Sequence, residues 1–140
     1  MKNIIRSAFI ISLLAMLIYA CNPNDTNNIT PTGDPRANFV GTWSCNETSH
    51  LNGSSAFSVG ITLNQNNTAQ VLLSNFYQIG TSQSIYGIVA NNNVTVPGQT
   101  VNTLNIRGSG NINSSHNQIT WNYYVNTGAD IDTCSAVFSK

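Results

Sequence analysis

Ile119-Thr120-Trp121-Asn122-Tyr123-Tyr124-Val125 alternates with a period of two. Successive residues of a strand point to opposite faces. Ile119, Trp121, Tyr123 and Val125 therefore share one face, and Thr120, Asn122 and Tyr124 the other. Apolar residues are not spaced at three and four, so a strand with one buried face is predicted here and not a helix. The pattern continues on both sides. Before it, Leu104, Ile106, Gly108, Gly110 and Ile112 share a face, with Arg107 outward; two glycines in one strand imply a sharp bend or a close strand approach. After it, Cys134, Ala136 and Phe138 face inward, with Asp132, Thr133, Ser135 and Val137 around them.

Further toward the N-terminus the alternation recurs. Phe39, Gly41, Trp43 and Cys45 share a face, as do Phe57, Val59, Ile61 and Leu63. Val71 and Leu73 point inward until the pattern slips at Ser74-Asn75 before Phe76, which predicts a bulge. Residues 84–90 set Ile85, Gly87 and Val89 against Tyr86 and Ile88, and either set can be the buried one. Asn91-Asn92-Asn93 marks a turn, because Asn tolerates positive φ. Val94 and Val96 make a short strand that is expected to stop at Pro97-Gly98. Eight short strands separated by turn residues predict an all-β, eight-stranded antiparallel meander closing into a small barrel, with a β-sandwich as the alternative. Closure removes both exposed edges.

The cysteines offer a test of closure. If the first and last strands pair with Cys45 opposite Cys134, then Trp43 meets Ala136 and Gly41 meets Phe138, large against small. A Cys45–Cys134 disulfide is the expectation, favoured by the export signal described next. Two buried free thiols are the other reading.

Lys2 and Arg6 precede an uncharged, mainly Ile, Leu, Ala, Phe and Met run over residues 7–20. That run is shorter than the ~20 residues a membrane-spanning helix needs and reads as a secretory signal. It ends Leu17-Ile18-Tyr19-Ala20-Cys21, which resembles a bacterial lipobox. The resemblance implies cleavage before Cys21 and a lipid on its thiol, which is a lasting membrane anchor when several acyl chains are attached. A plain secretory signal with an incidental Cys is the alternative. Asn, Thr, Pro, Asp and Gly dominate residues 22–37, which read as a tether. The organisation expected is a signal peptide over 1–20, lipidated Cys21 and tether over 21–37, and a barrel domain over 38–140. The expected location is the cell envelope, lipid-anchored on the outer membrane facing the periplasm, with exposure at the cell surface as the alternative.

Gly41-Thr42-Trp43 resembles the G-x-W signature of the calycin superfamily, whose lipocalins, avidins, fatty-acid-binding proteins and a bacterial metalloprotease-inhibitor family are small meander barrels. The resemblance implies that Trp43 plugs one barrel end under the incoming chain. Residues 38–140 also resemble small bacterial lipoproteins whose first strand reads like V-G-T-W and whose functions are mostly unassigned.

Chemistry is sparse. Asn, Ser and Thr make up 51 of the 140 residues, and five Lys+Arg balance five Asp+Glu. No basic surface suits a nucleic acid. His50, His116, Glu47, Asp130 and Asp132 are the acid–base candidates. The histidines sit in polar turns, and the two aspartates are expected to flank a turn and cap a strand end. Metal-ligand spacings, a G-x-S-x-G elbow and a phosphate loop are all missing, so neither an enzyme, a metal nor a cofactor is expected. Trp43, Phe57, Trp121, Tyr123 and Phe138 are the candidates for a pocket for a small apolar ligand or for a filled core, and an eight-stranded barrel can be filled by its own side chains. The two functional expectations are a ligand-binding envelope module and a protein-interaction or structural module, for example one resembling a protease inhibitor. A monomer is expected.

Overall fold

The computed structural model describes residues 33–140. The expected signal segment 1–20, Cys21 and residues 22–32 of the expected tether lie outside the described residues. Residues Gly33–Lys140 form one compact unit. Its strands are β1 (Gly41–Ser49), β2 (Gly53–Leu63), β3 (Gln70–Ser74), β4 (Ser84–Ala90), β5 (Asn93–Val101), β6 (Leu104–Ile112), β7 (Gln118–Asn126) and β8 (Ile131–Ser139). They form a closed antiparallel barrel in sequence order. β1 and β8 pair over Ser44↔Ser139 to Ser49↔Cys134, so the meander closes on itself and the sandwich is excluded.

The alternation of the sequence becomes inside and outside. β7 and β8 bury every second residue along their lengths, and in β4 the buried set is Ile85, Gly87 and Val89. The two β6 glycines serve close approach. A Cβ on Gly108 would lie 2.3 Å from the Tyr123 Cβ and 2.6 Å from the Asn122 carbonyl oxygen, and one on Gly110 would lie 2.7 Å from the Trp121 ring. The rings of β7 thus lie directly over the bare backbone of β6.

Three local expectations are corrected. First, β5 does not stop at Pro97-Gly98. It runs on to Val101 with a register shift between Val96 and Gln99. There the Gln99 carboxamide stands in for a missing strand, accepting from the Tyr86 N–H at 2.9 Å and donating to the Tyr86 carbonyl at 2.7 Å. Second, no bulge follows Ser74. β3 ends, and Phe76–Gln78 form a 3-10 turn. Third, ordered chain begins before residue 38. Pro35–Asn38 is a 3-10 turn capped by the Asp34 side chain. Arg36 is buried there, donating to the carbonyls of Asn64, Asn67 and Gln70 while paired with Asp34 at 2.6 Å. One guanidinium adds a second donor to three carbonyls of the β2–β3 connection that already accept from backbone N–H groups, and so ties the incoming chain to that connection.

The β1–β8 register corrects the disulfide. Cys45 faces Phe138 and Cys134 faces Ser49, a slip of four residues from the expected pairing. Four residues of strand are about 13 Å, and a disulfide needs Cα atoms within about 7 Å. Both cysteines are buried free thiols. The cause is visible at the two ends of the ladder. Trp43 needs the Phe39 carbonyl for its indole N–H and lies beyond the end of the ladder, under Lys140. At the other end Ser49 donates to Asp132 at 2.6 Å. Burial, then the charge of Glu47, raises the Cys45 thiol to about 12; burial, then Asp132 and Glu47, does the same for Cys134. Neither thiol should react with an alkylating reagent in the native protein, both should react after unfolding, and the mass should not change on reduction. A gain of about two daltons on reduction would restore the bridge.

Candidate functional site

The two barrel ends are closed differently. At the end where β1 begins, the incoming chain and Trp43 form the plug that the G-x-W resemblance implies. Trp43 Nε1 donates to the Phe39 carbonyl at 2.7 Å, and Lys140 Nζ sits 4.3 Å from the Trp43 ring while donating to the Val40 carbonyl. Phe39 and Trp43 are wholly buried.

At the opposite end the β3–β4 connection folds inward. β3 stops at Ser74 and pairs with β2 only over residues 60–63, so residues 53–59 of β2 have no β3 partner. The connecting chain fills that gap. Phe76 is fully buried, with its ring 5.1 Å from Trp121, 4.6 Å from Tyr123 and 6.0 Å from Phe138. Trp121 and Phe138 are themselves 5.4 Å apart. These separations fall in the favourable range for aromatic pairs. Of the pocket residues read from the sequence, Trp121, Tyr123 and Phe138 are brought together here. Trp43 is at the other end, and Phe57 packs partly buried against the core. A depression of about 570 Å³ lies on the outer wall across β7, β8, β1 and β2, lined among others by Asn46, Thr48, Ser54, Thr120, Asn122 and Ser135.

Beside the rings, toward the rim of the same end, lies a buried polar cluster. Asp132 was expected to cap a strand end; it is wholly buried and points inward. It accepts from Ser49 Oγ at 2.6 Å, Tyr77 Oη at 2.8 Å, the Leu51 N–H at 3.1 Å and Asn52 Nδ2 at 3.2 Å. Burial pushes its carboxyl up, but these donors together outweigh that and hold it below the usual aspartate value. Glu47 is also buried. It accepts from the Tyr123 hydroxyl and, at 3.5 Å, from Ser55 Oγ. Burial raises Glu47 above its usual value; the Tyr123 bond opposes this and the Asp132 charge adds to it. Tyr77 and Tyr123 are both pushed up, chiefly by burial.

Sequence reasoning had singled out Glu47 and Asp132 only as scattered acids. Glu47 and Ser49 continue the odd-numbered inward face of Trp43 and Cys45, and Asp132 continues the even face of Cys134. That continuation was the available signal. Phe76 and Tyr77 carried none, because no period survives the turn. His50 and His116 lie in turns at opposite ends of the barrel, and Asp130 closes the β7–β8 turn through its carbonyl and N–H. No three His, Cys, Asp or Glu side chains among the described residues are grouped to hold a metal.

Fold and site together define an eight-stranded meander barrel with an aromatic interior beside a buried acidic cluster. Two solved structures share the fold. A redesigned beta barrel, b11L5F_LGL, matches with a TM-score of 0.52 and 13% identity, covering 76% of this chain and 95% of its own. EF1p2_mFAP2b bound to DFHBI matches with a TM-score of 0.50 and 11% identity, covering 76% of this chain and 98% of its own. No protein-family model and no curated protein matches the chain.

Proposed function

We propose that this chain is an exported, lipid-anchored, non-enzymatic barrel module of the cell envelope that meets a protein partner through its outer wall. The observation that carries this reading is the filled interior. A similar barrel holds DFHBI, but here Phe76, Trp121, Tyr123 and Phe138 occupy the space beside one another. The polar cluster supports structure better than catalysis, since Asp132 and Glu47 are spent on internal donors and neither is exposed. The outer wall offers a broad surface of Asn, Ser and Thr with no charged side chain pointing outward from β7, β8, β1 or β2; Asp130 lies in the β7–β8 turn. Such a surface selects partners by hydrogen bonding and shape, with little electrostatic steering.

Two variants separate the parts of the proposal. Cys21→Ser should abolish fatty-acid labelling and move the protein from the membrane to the soluble fraction; unchanged membrane association overturns the anchor. A photo-crosslinker at Thr48 should give a discrete adduct in intact cells that the double variant Asn122→Arg, Ser135→Arg removes without lowering the thermal midpoint. An adduct that survives both charges overturns the wall as the contact surface.

A further inference from the structure

The filling of the barrel is uneven in kind. Most of it comes from strands locked in a continuous ladder, but Phe76 comes from a segment outside that ladder. Residues 75–83 lie against the unpaired half of β2 and are held there largely by side chains. Asn75 Nδ2 donates to the Ser58 carbonyl at 2.8 Å, Gln78 Nε2 reaches Ser55 Oγ at 3.3 Å, and the Tyr77 hydroxyl bridges Asn52 and Asp132 at 2.9 and 2.8 Å.

The segment is also strained. Asn75, Tyr77 and Gln78 have φ of 59°, 54° and 57°. Left-handed backbone is uncommon outside glycine and unfavourable for a residue as bulky as Tyr. Such conformations persist only where surrounding contacts impose them, and they gather at clamps and switches. Here the imposing contacts are the Phe76 ring in its aromatic cage and the Tyr77 hydroxyl on Asp132.

The cage carries a second mark. Trp121 Nε1 is buried and is the one buried side-chain polar atom among the described residues without a hydrogen-bond partner. A buried unpaired donor is unfavourable. Trp121 is one of the three rings that touch Phe76, and a phenyl ring offers that donor no oxygen or nitrogen acceptor.

We propose that residues 75–80 are a stopper latched by the Tyr77–Asp132 hydrogen bond, and that its withdrawal opens a site for a flat, neutral aromatic molecule carrying one hydrogen-bond acceptor. The ligand replaces the Phe76 ring between Trp121, Tyr123 and Phe138 and takes the indole proton that Phe76 leaves unpaired. Strain in the turn favours withdrawal, and the latch and the buried ring oppose it. The apparent affinity is then the intrinsic affinity reduced by the fraction of molecules with the stopper out. This site lies inside the barrel and goes beyond the outer-wall reading, although Trp121 also borders the outer-wall depression.

The experiment is titration of the 33–140 unit within the full chain with benzaldehyde, following the Trp121 indole N–H resonance. Trp43 provides the internal reference, since its indole is bonded to Phe39 at the other end. The wild-type chain should show a saturable shift of the Trp121 signal alone. Tyr77→Phe removes the latch and leaves the ring; it should tighten binding about tenfold, the factor corresponding to one ordinary hydrogen bond. Toluene, which has the same ring and no acceptor, should bind at least several-fold more weakly than benzaldehyde. Phe76→Ala should bind benzaldehyde whether or not the stopper moves, which shows that the cage accepts the probe. If Phe76→Ala binds and the wild-type and Tyr77→Phe chains do not, the stopper is fixed and the proposal fails. Equal affinities for wild type and Tyr77→Phe overturn the latch, and equal affinities for toluene and benzaldehyde overturn the role of Trp121 Nε1.

Discussion

Gly108→Ala is expected to lower the thermal midpoint of the barrel by roughly 10 °C or more. The added methyl group would stand 2.3 Å from the Tyr123 Cβ, 2.6 Å from the Tyr123 Cα and 2.6 Å from the Asn122 carbonyl oxygen. None of these atoms is the free end of a flexible side chain, so β6 and β7 would have to separate. They cannot do so locally, because Gly108 and Tyr123 are directly paired in a ladder that runs from Asn105↔Asn126 to Ile112↔Ile119. Overpacking of this kind costs about 1–3 kcal/mol and sometimes more. In a domain near 100 residues each kcal/mol is worth ~4–8 °C. Gly33→Ala is the control: nothing lies within 4 Å of its added Cβ, and its midpoint should match the wild type. Thermal unfolding followed by circular dichroism reads both. Equal midpoints for the two variants would mean that β6 and β7 are not in the close contact described.

The same strands show why so much of the fold was legible. On β7 a large ring or branched residue alternates with Thr, Asn and Tyr124, and the inward set follows from parity alone. Parity also survives a slip of an even number of residues. That is why the inward faces of β1 and β8 were read correctly while their pairing was displaced by four. Cys45 and Cys134 point into the barrel in either register, so the apparent match between them carried no register information. What fixes the register is tertiary: the Trp43 indole reaching Phe39, and Ser49 reaching Asp132.

The site was less legible for a related reason. Glu47, Ser49 and Asp132 sit at inward positions, but acids there contradict the usual expectation that charged residues face water. They are tolerated because the barrel brings donors to them, Tyr77 from a distant turn and Tyr123 from β7. Those donors are 55 and 76 residues away in sequence, beyond any local pattern. Likewise Gln99 imitates a strand for Tyr86, and Arg36 serves carbonyls in another loop. Side chains that substitute for backbone partners leave no periodic trace.

The buried acids also dictate a pH response. Asp132→Asn should destabilise the barrel by about 3 kcal/mol at pH 7, since a carboxylate with four donors becomes an amide that presents its own N–H groups to some of them. Asp132 is held below the usual aspartate value in the folded chain. Its ionised form therefore contributes stability above the unfolded pKa of about 3.9, and that contribution disappears as pH falls through the lower folded value. The gap between wild type and Asp132→Asn should accordingly narrow as the solution is acidified from pH 5 toward pH 2. Glu47 runs the other way. Its folded pKa is raised, so the folded state prefers it neutral, and stability is lost as pH rises from about 4.3 through the folded value. Glu47→Gln should remove that loss and gain on the wild type as pH rises. Urea unfolding midpoints at pH 2.5, 5 and 7 measure both trends. A constant difference between wild type and Asp132→Asn across this range would show that Asp132 is not an ionised acceptor in the folded barrel. A constant difference for Glu47→Gln would show that folding does not raise the Glu47 carboxyl, and because the two trends have opposite signs, a general acid effect on the barrel cannot produce both.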